Sequence, residues 1–263
     1  MTTDLETRPA GRGLVQATRQ PTLLGRVRSR SADDRGVTLV ELMVTMIVTA
    51  LVAAMTAALV IGVQRTNQEN ISRQDQVDAA RVAVASMTKT LRAAVTPSQL
   101  AATCAGCTSP GFVQGSTAKV QFYSNLDNPK NSVGPSRVTY EVMTGARAGE
   151  LVETVQRPSS PNPGASGYAY CTGGAGCAAT IKTRVLARGV QTSKPVFTYF
   201  DADGAKMTLP SNGTLAADQL GKVLSVELTV AVQGKGSYRA EPTTYIQRVL
   251  LPNAQSLIKT GTE

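Results

Sequence analysis

Reactive potential in this chain concentrates in two places. The first is the run Gly36, Val37 and Glu41. Glu41 is the single charge between Val37 and Val63, and Gly36 stands just before that apolar run. A glycine has no side chain, and its backbone turns or extends freely. A carboxylate buried alone is costly, so Glu41 calls for a cation as its mate. The second place is the cysteine set Cys104, Cys107, Cys171 and Cys177.

The totals exclude several chemistries. The chain has no His, so it lacks the commonest general base and metal ligand, and Ser-His-Asp and Cys-His machinery are ruled out. The remaining carboxylates, Lys and Tyr form no catalytic constellation, and no cofactor or metal site is expected. The formal net charge is +9. Residues 1–36 hold seven Arg and four acids, and the other cations are scattered, without a basic run interleaved with aromatics. That pattern is a solvated surface and gives no direct nucleic-acid signal.

The elements that must position Gly36 and Glu41 are legible. Residues 1–36 show no sustained apolar period and contain Pro9, Gly11, Gly13 and Pro21, as an unfolded leader would. From Leu42 to Val63 the chain carries no charge, long enough to span a hydrocarbon core of about 30 Å. Arg26, Arg28, Arg30 and Arg35 precede the run, so the N-terminus is expected in the cytoplasm and the rest exported. An acid within a membrane segment costs about 3 kcal/mol, although Glu41 lies near enough to the start to snorkel. Gln64 to Val95 lacks Pro and Gly, and Val77, Ala80, Val84, Met87, Leu91 and Val95 recur at steps of three and four. Arg73, Asp75, Asp78, Arg81, Lys89 and Arg92 occupy the opposite face. One helix is thus expected from Val37 to about Thr96, ended by Pro97.

Beyond Pro97 the period becomes that of strands. Expected strands are Lys119–Ser124, Arg137–Met143, Leu151–Gln156, Ile181–Ala187, Pro195–Phe200, Lys222–Val232 and Thr243–Leu251. In Lys222–Val232, Leu224, Val226, Leu228, Val230 and Val232 alternate with Ser225, Glu227, Thr229 and Ala231, as in a strand with one wet face. Asn128-Pro129, Gly134-Pro135 and Ser211-Asn212-Gly213 mark turns. The expected fold class is α+β: a long N-terminal helix, half membrane and half amphipathic, packed on an antiparallel sheet. The expected divisions are a leader, 1–36; a transmembrane helix, 37–63; its amphipathic continuation, 64–96; and a β-rich exported domain, 97–263.

The string Arg35-Gly36-Val37-Thr38-Leu39-Val40-Glu41-Leu42-Met43-Val44 resembles the processing motif of type IV prepilins and type II secretion pseudopilins. In that family a prepilin peptidase cuts after the Gly, the new N-terminus is methylated, and a Glu lies five residues into the mature chain. Gly36 and Glu41 match; Val37 stands where Phe is most common. The resemblance implies a cut after Gly36 that frees the Val37 α-amino group, with which the Glu41 carboxylate of a neighbouring subunit would pair. Arg188-Gly189-Val190, Phe197-Thr198-Tyr199-Phe200-Asp201, Val223–Val232 and Arg248–Asn253 are together similar to larger minor pilins and pseudopilins. The resemblance implies a structural, non-enzymatic subunit, of low abundance given its large exported domain. It would assemble into, or prime, a pilus, a secretion pseudopilus or a DNA-uptake filament. The partners it implies are the prepilin peptidase, other pilin or pseudopilin subunits, the assembly platform and the membrane. The implied location is the cytoplasmic membrane, then a surface filament. The alternatives are a single-pass anchor carrying an extracytoplasmic binding or sensory module, and a signal peptide cut between Ala53 and Ala58. A signal peptide would have an unusually long apolar region.

Four cysteines outside the membrane suggest disulfides and allow three pairings. Two local loops, 104 with 107 and 171 with 177, are favoured because Gly-rich residues there can turn tightly. Zinc fits poorly with the five residues between Cys171 and Cys177, and no βαβ pattern supports a redox role for Cys104 and Cys107. Asp201-Ala202-Asp203-Gly204 reads as a hairpin turn, since the Glu that a calcium loop needs is missing.

Overall fold

The computed structural model describes residues 36–101, 104–126, 128–234 and 241–253. The residues before Gly36, expected as a leader, lie outside the described residues together with their arginines. The chain divides into two units, Met1–Thr56 and Ala57–Glu263.

Helix α1 covers Leu39–Arg92 and contributes to both units. Its start follows from local chemistry. Thr38 precedes the first helical residue, and its Oγ1 accepts the Glu41 N–H at 3.3 Å, while the Thr38 carbonyl accepts the Leu42 N–H at 3.1 Å. Thr38-Leu39-Val40-Glu41 is the Thr-x-x-Glu order of a helix N-terminus, with an acid in the positive first turn.

The helix ends at Arg92, before the expected Thr96, and Pro97 does not end it. The second strand draws the chain out earlier. The Ser124 hydroxyl donates to the Thr90 and Ala93 carbonyls at 3.1 and 3.0 Å, and the Val95 N–H donates to the Tyr123 carbonyl at 3.0 Å. Ala94 thereby enters a β-bridge with Ser124. Strand bonding satisfies the terminal helical carbonyls, so the helix stops without a glycine. Pro97 instead opens the short helix α2, Pro97–Leu100, where its missing N–H costs nothing.

In the second unit, five strands form an antiparallel meander: β1 Phe112–Gly115, β2 Lys119–Ser124, β3 Ser136–Val142, β4 Leu151–Gln156 and β5 Ile181–Ala187. A separate three-stranded sheet has β6 Phe197–Phe200, β7 Ser225–Val232 and β8 Thr243–Leu250, in that order. The single expected sheet is therefore two. The break follows β5, where the chain turns at Gly189 with φ +73° and bridges Val190 to Val232 of β7. A Cβ on Gly189 would lie 2.1 Å from the Gln233 carbonyl oxygen, so only glycine fits that approach. The expected strands are present, but β6 and β7 start at Phe197 and Ser225, after Pro195 and Lys222. In β7 the wet face is reduced to Glu227 and Thr229, since Ser225 and Ala231 are also buried.

One core joins Ala80, Ala83, Val84, Met87 and Leu91 of α1 to Phe122, Val138, Tyr140, Tyr199, Val226 and Leu228. The expected helix face needs one correction. Val77 is 42% exposed, and Gln76 is buried in its place, with its amide within 3.4 Å of Ser72 Oγ and Thr243 Oγ1. The opposite face, Arg73, Asp75, Asp78, Arg81, Lys89 and Arg92, is exposed as expected. A buried polar bridge supports the core. The Tyr140 hydroxyl donates to Glu153 Oε1 at 2.8 Å, Arg184 pairs with the same carboxylate, and Arg184 also donates to Ser86 Oγ on α1 at 2.5 Å. Burial, and then the Glu153 charge, push the Tyr140 phenol well above its usual value.

Candidate processing and assembly site

Gly36, Val37 and Thr38 lie outside helical hydrogen bonding, and all three are exposed. Among the described residues, a Cβ built on Gly36 would meet nothing within 4 Å. The Gly36–Val37 bond stands two residues ahead of Leu39, outside α1.

Glu41 sits in the first turn of α1 with its side chain exposed. Among the described residues no cation pairs with it; only its backbone is tied, through Thr38. The large apolar residues that follow are exposed too, Val40 at 68%, Ile47 at 66% and Leu59 at 68% among them. The helix contains an 18-residue window of mean hydropathy 2.5, none of it buried within the chain. The threonines of its apolar half carry no loose hydroxyl: Thr45, Thr49 and Thr56 donate to the carbonyls of Leu42, Thr45 and Val52 at 2.9, 2.7 and 2.8 Å. A hydroxyl satisfied in this way can sit in hydrocarbon without an unmet donor.

The structure brings Gly36, Val37 and Glu41 together at one helix start. Thr38 belongs with them, and sequence reasoning missed it. The Thr-x-x-Glu spacing ahead of an apolar run was the available signal. Cys104 and Cys107 are joined, as are Cys171 and Cys177, with Cα–Cα distances of 5.4 and 5.6 Å. Both are the local loops favoured from the sequence. The first packs tightly on the turn Gly164–Gly167, where a Cβ on Gly106 would lie 2.2 Å from the Ala165 carbonyl oxygen. Asp201 Oδ1 accepts the N–H groups of Asp203 and Ala205 at 3.1 and 2.9 Å, and Gly204 has φ +75°. This segment is the expected turn. Among the described residues, no group of three or more Cys, Asp or Glu is placed to hold a metal ion.

Residues 32–57 match the model of the prokaryotic N-terminal methylation motif. No curated protein and no solved structure matches the chain. The matched segment contains Gly36, Val37, Thr38 and Glu41, and it runs into a helix that packs on antiparallel sheets. Residues 32–57 are therefore an N-terminal methylation segment of the kind that begins type IV pilins and pseudopilins.

Proposed function

We propose that this protein is a low-abundance, non-enzymatic subunit of a type IV pilus-like filament, made as a precursor and processed at Gly36. The observation that carries the reading is a single exposed carboxylate, Glu41, at the head of a fully exposed apolar helix that its own chain leaves uncovered. In the membrane, Arg26 to Arg35 hold the leader in the cytoplasm while lipid covers Leu42 to Val63. The prepilin peptidase then cuts between Gly36 and Val37, and the new α-amino group is methylated. On extraction from the bilayer, neighbouring helices replace lipid around the apolar half of α1. Glu41 then leaves the headgroup surface and needs a cation at its own depth. The Val37 amine of an adjacent subunit supplies that charge, and the pair sets the axial register between helices. The two disulfides fit an exported, oxidising location.

The intact mass of the membrane-extracted protein tests this reading. A chain beginning at Val37 and carrying one methyl group supports it. A chain beginning near Ala58 would show a signal peptide, and one that retains residues 1–36 would show a plain membrane anchor with an extracytoplasmic module.

A further inference from the structure

In β4, Glu153 and Val155 share one face, and Arg157 follows just past the strand's end at the next alternate position. Their register partners Arg184 and Lys182 carry that face onto the edge strand β5. Near the core this face is apolar or committed: Glu153 is buried and held by Tyr140 and Arg184. Arg157 and Lys182 bring cations to the same lining, beside Ser86 and Thr90 of α1. Lys89 of α1 completes the ring, and a groove of about 580 Å³ opens between helix and strands. Four cations therefore line the groove against a single, already occupied carboxylate. Among the described residues no acid pairs with Lys89, Arg157 or Lys182. Ser86, Ser136 and Thr183 add neutral hydroxyls, and no aromatic side chain lines the space.

We propose that this groove, between α1 and strands β4–β5, binds a linear phosphate polymer, held through its charged groups alone. The argument is charge complementarity. The unpaired cations come from three separate elements, so they surround a length of chain better than one small ion. Arg157 offers a planar fork for phosphate oxygens, while Lys89 and Lys182 act as point charges. Nucleic acid is disfavoured by the same lining, because single strands gain much of their binding from bases stacked on aromatic rings. The reading is independent of the filament role proposed above.

The test uses the full-length protein in neutral detergent micelles and a fluorescein-labelled linear polyphosphate, followed by anisotropy across a salt series. Binding should weaken linearly with the logarithm of salt concentration. The triple variant Lys89→Gln, Arg157→Gln, Lys182→Gln should lose affinity by about tenfold or more and show a shallower salt slope. Arg184 is left intact because it braces the Tyr140–Glu153 bridge. A control triple, Lys130→Gln, Lys194→Gln, Lys206→Gln, removes the same charge from exposed sites outside the groove and should change affinity by less than about twofold. Should the groove triple melt early, the single changes at the exposed Lys89 and Lys182 carry the same test with smaller losses. Equal losses in the two triples would reduce the effect to net charge and overturn the site. Absence of polyphosphate binding would also overturn it, leaving the cations the task of guarding an open sheet edge. Tighter binding of a single-stranded oligothymidylate than of polyphosphate would contradict a site that reads charge alone.

Discussion

The two halves of α1 are one helix by hydrogen bonding and two different objects by environment. From Leu39 to Val63 every residue is exposed, although nearly all are apolar. From Gln76 to Leu91 the helix buries Ala80, Ala83, Val84, Met87 and Leu91 at 0% exposure and presents its charges outward. A helix apolar all round satisfies itself only in lipid or among other apolar helices, whereas one with a stripe satisfies itself on its own sheet. None of the described residues covers the first half, whereas the second is held by residues up to about 170 positions away, such as Thr243 beside Gln76.

This contrast can be broken by mutation, and the largest effect belongs to the first half. Gly36→Phe should leave the chain wholly as precursor in the membrane, read as a single uncleaved species by intact mass. The described fold should be untouched, since none of the described residues lies within 4 Å of a Cβ at that position. Next, Glu41→Ala should preserve membrane level and cleavage, because the carboxylate makes no contact that insertion requires. Incorporation into sheared filaments should fall by about tenfold or more, the scale expected when a buried charge loses its only mate. Glu41→Asp should be intermediate, its shorter arm misplacing the carboxylate. Wild-type incorporation of Glu41→Ala would remove the amine-pairing role.

The same truncation at two points of one helix sharpens the comparison. Leu91→Ala removes a fully buried side chain and should destabilise the β-rich unit by about 2–5 kcal/mol. Leu51→Ala removes a side chain 53% exposed and should shift that unit by less than about 0.5 kcal/mol, in thermal melts of detergent-solubilised protein. A similar loss at both positions would mean that the two halves fold as one cooperative body.

The smallest effect is a dependence on pH confined to the β-rich unit on which the second half packs. Burial raises the Tyr140, Tyr170 and Tyr199 phenols above their ordinary value of about 10. A raised folded-state value means that the folded chain holds these protons more tightly than the unfolded chain. Their contribution is fully present below about pH 10 and is lost as pH rises beyond it. Alkaline titration should thus unfold the sheets while the apolar helix, which has no Tyr from Val37 to Val63, keeps its helical signal. Early ionisation of all seven tyrosines near pH 10 in the folded protein would contradict the burial.

Much was legible before any coordinates. The apolar run, its lone Glu41 and the preceding Gly36 are local facts, and a membrane-length helix forms from local hydrogen bonds whatever surrounds it. Strands β2, β4 and β5 lie at their expected residues because alternation is also local. The cysteine loops follow from short separations and nearby glycines.

Tertiary structure decided what depends on distant partners. Phe112–Gly115 is too short to announce itself, yet it becomes β1 because β2 pairs with it and Leu215 and Tyr199 crowd against Gly115. The helix stops at Arg92 because Ser124 and Tyr123 offer hydrogen bonds there, a competition invisible in the helical period. Gln76 is buried and Val77 exposed because Thr243 reaches that part of α1. The division into two sheets rests on Gly189 passing within touching distance of Gln233. Sequence period sets what a segment prefers on its own; which face it buries, and where it ends, is set by the hydrogen bonds and volumes that the rest of the chain brings to it.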